Sequence, residues 1–273
     1  MPDSDLHHII TLAQHAGDLI RASWGKAERQ TKRGGAEAVT EIDRLSQRLI
    51  IAGLRDRHPD DGIIGEESDS GEGITNTAPT TGERVWVIDP LDGTNNFVAG
   101  LGHVAVCIGL LDRGMPVLGV VHDVARDQTF AAARGEGAWL DTRPILAATT
   151  PLSERALLMM TSNLLIDGRL PPFLTRWLTR SPCKVRMLGS AALEAVQVAA
   201  GIAHGALTLN GKLWDLVAPA AILAEAGATV TDLAGQPVFP YDLTGYSGAK
   251  VPFLAGGPLA HRELLEDMRA HWA

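Results

Sequence analysis

The sequence predicts a mixed α/β fold, because helical and strand-like patterns alternate along its 273 residues. Apolar residues recur at helical spacing in segments 6–24 and 40–55, which predicts two amphipathic helices. Apolar or alternating runs separated by turn residues then favour a meandering sheet, at 104–111, 117–121 and 129–133. Strand, turn and helix patterns alternate again after Arg143. We therefore place a boundary there, between residues 1–143 and 144–273.

The composition argues against several classes of protein. Apolar residues make up 45% of the chain and charged residues 21%, which is ordinary for a globular protein. No apolar run reaches the roughly 18 residues of a membrane span, and the amino end lacks the basic start of a signal peptide. The net charge of −8 disfavours nucleic acid as a partner. Cys107 and Cys183 form no short-spaced metal pair, so we expect two buried thiols in a cytoplasmic protein.

The most informative stretch is an apolar run that ends in two acids, Asp89 and Asp92. The run before them is β-branched and aromatic, which predicts a buried strand. Pro90 has no N–H to donate to a neighbouring strand, so we expect the strand to end there and both acids to lie in the following turn. No Lys or Arg occurs between Arg84 and Arg113. A metal ion is therefore the expected partner of these charges.

The residues after this pair predict an anion site beside the metal. Gly93 lets the backbone approach a ligand closely, and Thr94 opens a short helix whose first N–H groups would face an anion. An Asp-Gly pair alone is an ordinary turn, so the prediction depends on the whole stretch. Adjacent cation ligands and anion donors are typical of sites that bind phosphate esters.

Further acids stand at the ends of other predicted strands or at the starts of predicted helices. Glu66 ends an apolar strand, and it would meet Asp89 if the two strand ends shared one edge of a sheet. Asp215 opens an apolar helix, and Asp43 lies in the first turn of the second helix. Both also have a structural interpretation, as acids that favour a helix N-terminus. Ser190 precedes another helix and reads either as an N-cap or as part of a second anion site.

The residue types in this set indicate the chemistry. Carboxylates are hard oxygen ligands that suit Mg²⁺ or Mn²⁺ rather than Zn²⁺, and no His or Cys cluster competes with them. Mg²⁺ commonly shares its ligand shell with phosphate oxygens. An acid cluster beside helix N-termini therefore predicts hydrolysis of a small phosphorylated substrate.

Three segments resemble the inositol monophosphatase family of lithium-sensitive, Mg²⁺-dependent phosphatases. They are Gly65 to Ser68 (Gly-Glu-Glu-Ser), Asp89 to Phe97 (Asp-Pro-Leu-Asp-Gly-Thr-Asn-Asn-Phe) and the pair Trp214 and Asp215. The resemblance runs from the first helix nearly to the carboxyl end, in the same order and spacing. It implies a layered αβαβα sandwich of two fused halves, commonly a homodimer, with the substrate loop and Asp215 in the second half.

The resemblance also implies a role for each matching residue. Two or three Mg²⁺ ions are expected, with Mn²⁺ as a possible substitute. The first metal would be held by Glu66, Asp89 and the carbonyl of Leu91, and the second by Asp89, Asp92 and Asp215. Thr94, helped by Asp43, would orient the attacking water, with Glu66 acting through solvent at the metal. The N–H groups of Gly93 and Thr94 would bind the phosphate.

Two further positions match the family outside the metal ligands. Lys32, in the polar segment 26–38, occupies the place of a lysine in the family's amino-terminal loop. The segment Gly189-Ser190-Ala191 resembles the family's Gly-Thr-Ala substrate loop. Asp92, Ser190, Ala191, Thr208 and Asp215 are accordingly the residues expected to face the substrate, together with Gly93 and Thr94.

One departure bears on the choice of substrate. Inositol-specific members carry a Glu seven residues before the metal-binding Asp of the Trp-Asp pair, and here that position is Thr208. A hydrogen bond to a charged acceptor is worth roughly 1.5–3 kcal/mol, so its loss weakens recognition of a polyol. Inositol 1-phosphate remains the first expectation. The alternatives are histidinol phosphate, fructose 1,6-bisphosphate, NADP or a nucleotide 3′-phosphate, although Asn95 and Asn96 differ from the Lys-Glu pair of nucleotide bisphosphate relatives. A regulatory protein that keeps the metal site and acts through partners is the alternative from another class.

Overall fold

The computed structural model describes residues 5–24, 30–31, 38–39, 41–68, 74–77, 83–180 and 183–272. The helices are α1 (Asp5–Ala22), α2 (Glu41–Arg57), α3 (Thr94–Ala99), α4 (Pro172–Arg180), α5 (Ala191–Ala199), α6 (Leu213–Glu225) and α7 (Pro258–Ala270). The first ten strands are β1 (Gln30–Thr31), β2 (Ala38–Val39), β3 (Gly62–Gly65), β4 (Thr75–Asn76), β5 (Arg84–Asp92), β6 (Ala105–Asp112), β7 (Met115–Asp123), β8 (Gln128–Ala133), β9 (Ala138–Leu140) and β10 (Arg143–Ile145). The last five are β11 (Leu157–Met160), β12 (Lys184–Arg186), β13 (Gly205–Thr208), β14 (Thr229–Thr231) and β15 (Phe253–Gly256).

Two large sheets organise these elements. The first has eight strands in the order β10-β9-β8-β7-β6-β5-β3-β4, and the second has five in the order β12-β11-β13-β15-β14. Strands β5 to β10 follow one another as antiparallel neighbours, which confirms the predicted meander. Strands β1 and β2 pair separately as a short antiparallel ribbon.

The helices form three layers around the two sheets. α1 and α2 cover one face of the first sheet, α5 and α6 fill the space between the sheets, and α4 and α7 cover the outer face of the second sheet. Each layer buries its own apolar cluster, which is why the periodic apolar segments of the sequence became helices. The αβαβα arrangement implied by the family resemblance is confirmed.

One prediction of local structure was wrong. β5 does not end at Pro90 but continues to Asp92, with a register shift between Asp89 and Asp92 in its pairing with β6. A proline is tolerated at such an irregularity because the ladder there does not need its missing N–H. Residues Thr75–Asn76 form the short strand β4, which pairs antiparallel with β3.

Other expectations have mixed outcomes. Both cysteines are buried and neither forms a disulfide, as predicted. Among the described helices, none has the length and apolar composition needed to cross a bilayer. The proposed boundary near Arg143 falls within β10, the edge strand of the first sheet. The division into two halves stays a prediction.

Helix α6 lies unusually close to the first sheet, and two glycines make this possible. Gly109 of β6 and Gly119 of β7 are direct partners across the ladder. A Cβ atom at Gly119 would clash with the carbonyl oxygen of Ala218, and one at Gly109 would lie 2.7 Å from the amide nitrogen of Ala218. Backbone therefore touches backbone at this point, one turn of helix after Asp215.

Candidate active site

The carboxyl ends of two parallel strands bring the first acids together. β3 and β5 pair in parallel with Gly65 opposite Ile88, so Glu66 follows beside Asp89. The amide of Glu66 continues the ladder and donates to the carbonyl of Ile88 at 3.2 Å. Ser46 of α2 donates from Oγ to the carbonyl of Pro90 at 2.9 Å and fixes the end of β5. The expectation that both strand ends meet at one sheet edge is confirmed.

Three carboxylates form a compact group at this edge. One oxygen from each of Asp89, Asp92 and Asp215 lies within 4.8 Å of the others. Asp89 is 1% exposed, and Asp92 is also buried. Glu66 is half-buried beside the group, and its charge acts on Asp89. Acids that are far apart in the sequence therefore lie close together, as the sequence predicted.

The electrostatics show why this group suits a divalent cation. Burial, followed by the charges of Glu66, Asp92 and Asp215, raises the pKa of Asp89 well above its ordinary value. Burial and then the charge of Asp92 raise the pKa of Asp215 to about 7. Burial also raises the pKa of Asp92, although hydrogen bonds from Ser190 and the start of α5 oppose the rise. Hard oxygen donors that repel one another in a buried space fit Mg²⁺ or Mn²⁺.

Asp92 is held by the N-terminus of α5. Its Oδ2 accepts from Ser190 Oγ at 2.5 Å and from the amide of Ala192 at 2.8 Å, and its Oδ1 accepts from the amide of Ala191 at 3.2 Å. Ser190 Oγ also accepts from the amide of Leu193 at 3.2 Å, so the predicted N-cap is confirmed. The sequence indicated that this helix N-terminus could bind an anion. In the structure it binds the carboxylate of Asp92. The predicted contacts of Ser190 and Ala191 with substrate stay a prediction.

Asp215 is the third residue of α6, and the first turn of that helix fixes it. Its Oδ2 accepts from the amide of Lys212 at 2.6 Å, as expected for an acid in a capping arrangement. The amide of Leu213 donates to the hydroxyl of Tyr246 at 3.0 Å, which secures the start of the helix. Pro219 has no N–H to donate to the carbonyl of Asp215 four residues earlier. The carbonyl of Asp215 therefore lacks the donor that the fourth residue after it normally supplies in a helix.

Thr94 and Asp43 are neighbours, as the resemblance implied. Gly93 has a positive φ of 91° and lets the chain turn from β5 into α3. Thr94 Oγ lies 3.1 Å from the carbonyl oxygen of Leu91 and 3.5 Å from Oδ1 of Asp43. Asp43 is buried in the first turn of α2. A hydroxyl flanked by a carbonyl and a carboxylate can donate its own proton and still accept one from water.

Thr208 and Asp215 both lie near Gly211. Thr208 is 2% exposed at the end of β13. A Cβ atom at Gly211 would lie 2.7 Å from Cγ2 of Thr208 and 3.5 Å from Oδ2 of Asp215, so these three residues are in contact range. The position that is acidic in inositol-specific members is therefore an uncharged, buried side chain here. Lys32 lies outside the described residues.

The roles of two residues that bind the backbone near the site were not predicted from the sequence. Asn96 is buried and donates from Nδ2 to the carbonyls of His103 at 2.8 Å and Leu188 at 2.7 Å. Glu194 is buried in α5 and accepts from the amides of Leu188 and Gly189. One signal was visible: Glu194 is a lone acid within the apolar helix that follows the substrate loop.

Comparison with known proteins agrees with this geometry. Residues 1–272 match the family profile described as the inositol monophosphatase family. The chain belongs to the inositol monophosphatase family. Members of this family are metal-dependent, and the Asp89, Asp92 and Asp215 group is where this member could hold metal.

The relatives of this inositol monophosphatase family member carry different names. It is 36% identical over 228 residues to the fructose-1,6-bisphosphatase/inositol-1-monophosphatase of Thermotoga maritima, covering 83% of this chain and 84% of that protein. It is 35% identical over 235 residues to the Nus factor SuhB of Pasteurella multocida, covering 84% and 85%. The solved structure of Thermotoga maritima IMPase superposes with a TM-score of 0.81 at 32% identity, covering 96% of this chain and 95% of that one.

Proposed function

We propose that this protein is a Mg²⁺-dependent phosphatase of a small phosphomonoester, with inositol 1-phosphate as the first substrate. The observation that carries the proposal is the group formed by Asp89, Asp92 and Asp215, whose oxygens lie within 4.8 Å of one another. Repelling buried carboxylates need a cation, and a cation held by carboxylates is the usual partner of phosphate esters. The family membership supports the same reaction class.

The metal ions would be held by residues already described. These are Glu66, Asp89, the carbonyl of Leu91, Asp92 and Asp215. When bound, Mg²⁺ supplies positive charge that stabilises the attacking and leaving oxygens of an in-line displacement. Either Mg²⁺ or Mn²⁺ satisfies the oxygen donor set, and two or three ions are proposed.

The remaining site residues would position the water and the phosphate. The Thr94 hydroxyl donates a hydrogen bond to Asp43. The Thr94 oxygen would then accept a hydrogen bond from the attacking water and orient the lone pair of that water toward phosphorus. Glu66 would act on that water through the solvent at the metal position. The N–H groups of Gly93 and Thr94 bind phosphate oxygens as charge develops there. The water oxygen would form the new bond to phosphorus while the bond between phosphorus and the alcohol oxygen breaks, and the proton that the water loses would end on the leaving alcohol oxygen.

Phosphate release from inositol 1-phosphate tests the reaction class. We expect release with Mg²⁺, none with excess EDTA, and a loss of at least about 100-fold in Asp89→Asn. Asp112→Asn is the matched control, because Asp112 lies at the opposite end of the sheet, across from Arg84. Release that survives chelation, or full activity in Asp89→Asn, would contradict the proposal.

A sugar bisphosphate is the second candidate substrate, and the residues near Thr208 favour it. In the turn from Thr208 to Trp214 the only charged side chain is Lys212. Lys250 Nζ donates to Oδ1 of Asn210 in the same turn at 2.7 Å. A cationic turn beside Asp215 suits a second anionic group better than a neutral ring. The name of the Thermotoga maritima relative includes both activities.

The two substrates can be separated by comparing fructose 1,6-bisphosphate with inositol 1-phosphate. Lys250 is exposed, so we expect Lys250→Ala to raise KM for the bisphosphate by roughly threefold and to leave inositol 1-phosphate unchanged. An equal change in KM for both substrates would show that Lys250 does not favour the bisphosphate. Histidinol phosphate, NADP and a nucleotide 3′-phosphate complete the panel.

A regulatory role is the candidate from another class. Its motivation is the 35% identity to a protein named Nus factor SuhB. Very low turnover on every substrate of the panel, together with a stable protein partner in pull-downs, would favour this role over catalysis. Direct nucleic-acid binding is not part of the proposal, because the net charge is −8.

The proposal also includes lithium sensitivity, a homodimer and a cytoplasmic location. Li⁺ would compete at the second metal position formed by Asp89, Asp92 and Asp215, and full activity at high millimolar Li⁺ would contradict that placement. Cysteines that are buried and not joined in a disulfide, as Cys107 and Cys183 are, are typical of a reducing compartment. Analytical ultracentrifugation of the purified chain tests the dimer.

A further inference from the structure

Glu194 is a buried acid that the reaction outlined above does not use. It is 1% exposed and is the fourth residue of α5, among apolar neighbours. Its Oε1 accepts from the amides of Leu188 at 2.6 Å and Gly189 at 3.0 Å. Within the described part of the chain its Oε2 has no hydrogen-bond partner. A buried carboxylate is costly, so its presence in an apolar helix calls for a compensating role.

The segment that Glu194 binds is also held from the opposite side. Asn96 donates to the carbonyl of Leu188, so both polar backbone groups of Leu188 are bound by buried side chains. Gly189 has a φ of 85°, and a Cβ atom there would lie 3.0 Å from Nδ2 of Asn96. The backbone of Leu188 and Gly189 is therefore confined between Asn96 and Glu194, and only glycine fits at the second position.

This confinement acts directly on a carboxylate of the metal group. Gly189 is followed by Ser190, Ala191 and Ala192, all three of which donate to Asp92. A shift of Leu188 and Gly189 would move these donors away from Asp92. The hydrogen bonds of Glu194 go to Leu188 and Gly189 rather than to Asp92, so apart from the repulsion between the two acids its influence on Asp92 passes through the loop.

We propose that Glu194 is a positioning residue for Asp92, fixing Leu188 and Gly189 so that Ser190 and the first turn of α5 hold that carboxylate in place for metal binding. The inference rests on the proposed function only in taking Asp92 as a metal ligand. Glu225 provides the comparison for a purely structural role. Its carboxylate binds the amides of Gly135 and Gly137 at 3.0 and 2.9 Å, at the far end of α6.

The test measures Mn²⁺ binding to the chelated, substrate-free protein by titration calorimetry, together with KM and kcat for the best substrate. We expect Glu194→Leu to weaken Mn²⁺ binding by about tenfold and to raise KM, because two hydrogen bonds to a carboxylate are lost. Glu194→Gln keeps a carbonyl oxygen for the same two amides and should restore most of the affinity. Glu225→Leu should lower Tm and leave Mn²⁺ binding unchanged.

Asn96→Ser provides a second route if Glu194→Leu does not fold. It releases the opposite side of Leu188 and should weaken Mn²⁺ binding in the same direction. Unchanged Mn²⁺ affinity in the folded Glu194 and Asn96 variants, or an equal loss in Glu225→Leu, would overturn the proposal. Mn²⁺ binding is measured without turnover, so a protein that hydrolyses no phosphomonoester would refute the proposed function while leaving this test intact.

Discussion

Ser190 donates a hydrogen bond of 2.5 Å from Oγ to Oδ2 of Asp92, although 98 positions separate the two residues in the sequence. The bond joins the end of β5 in the first sheet to the start of α5 in the layer between the sheets. The same hydroxyl accepts from the amide of Leu193 and caps α5. Orientation of one metal-site carboxylate and the start of one helix thus depend on a single oxygen.

Replacing this hydroxyl should weaken metal activation. In Ser190→Ala, Asp92 loses one of its three donors and α5 loses its cap. We expect the Mg²⁺ concentration for half-maximal activity to rise roughly tenfold and the unfolding free energy to fall by about 1 kcal/mol. Ser190→Thr keeps the hydroxyl and should behave like the wild type. An unchanged Mg²⁺ dependence in Ser190→Ala would show that Ala191 and Ala192 alone hold Asp92.

Thr94→Val should separate water orientation from metal binding. Valine has nearly the shape of threonine but cannot bond to Asp43, to the carbonyl of Leu91 or to water. Positioned proton transfer contributes typically 10²–10⁴-fold, so we expect kcat to fall by about 100-fold or more while Mn²⁺ affinity stays the same. Thr94→Ser is the matched control and should retain most activity. A parallel loss of Mn²⁺ binding would instead indicate a structural role for Thr94.

Stability should depend on pH through Glu194. Burial raises the pKa of this carboxyl from 4.5 to about 8, while the amides of Leu188 and Gly189 oppose the rise. Between these values the folded state retains a proton that the unfolded state releases, so the unfolding free energy falls as pH rises from about 4.5 to 8. Each unit of pKa shift corresponds to about 1.4 kcal/mol.

The measurement compares Tm of the metal-free wild type and Glu194→Gln at pH 5 and at pH 8. The metal-site acids contribute a similar decline to both proteins, so the difference between the two slopes reports Glu194. We expect the variant to lose less stability over this range. Identical slopes would mean that Glu194 titrates near its ordinary pKa.

Gly119→Ala should destabilise the protein because α6 lies directly on this glycine. The new methyl group would meet the carbonyl of Ala218, and backbone cannot rotate away as a side chain can. We expect a loss of about 1–3 kcal/mol in urea unfolding, together with weaker metal binding because α6 carries Asp215. Gly53→Ala in α2 is the control, since its Cβ would meet only the flexible side chain of Leu12. Equal stability of Gly119→Ala and wild type would show that α6 can move away from the first sheet without lowering the unfolding free energy.

The sequence predicted those parts of the fold that follow from local patterns. The periodic apolar segments became helices within a few residues of the expected bounds, and the meander formed between turn residues. The end of β5 was misjudged because Pro90 breaks a strand only where the ladder needs its N–H. Register shifts are set by the neighbouring strand β6, which the local pattern does not contain.

The sequence predicted those residues of the candidate site whose side chains have a distinctive chemistry, which here are carboxylates. Glu66, Asp89 and Asp215 were identified by their positions at strand ends and a helix start. The roles of Asn96 and Glu194 were not predicted because both side chains bind backbone groups. Every residue carries backbone groups, so the sequence does not show which of them will have a side-chain partner. The same carboxylates would serve any phosphate ester, so they do not distinguish the two proposed substrate classes.

The glycine pair under α6 has a consequence for how this protein tolerates sequence change. Where a helix rests on side chains, each substitution alters the spacing between layers. Here the spacing at Ala218 is set by main-chain atoms of Gly109 and Gly119, which are the same whatever side chains surround them. We therefore expect a change in size of an apolar residue elsewhere between the sheets to displace Asp215 less than a side chain added at Gly109 or Gly119 would.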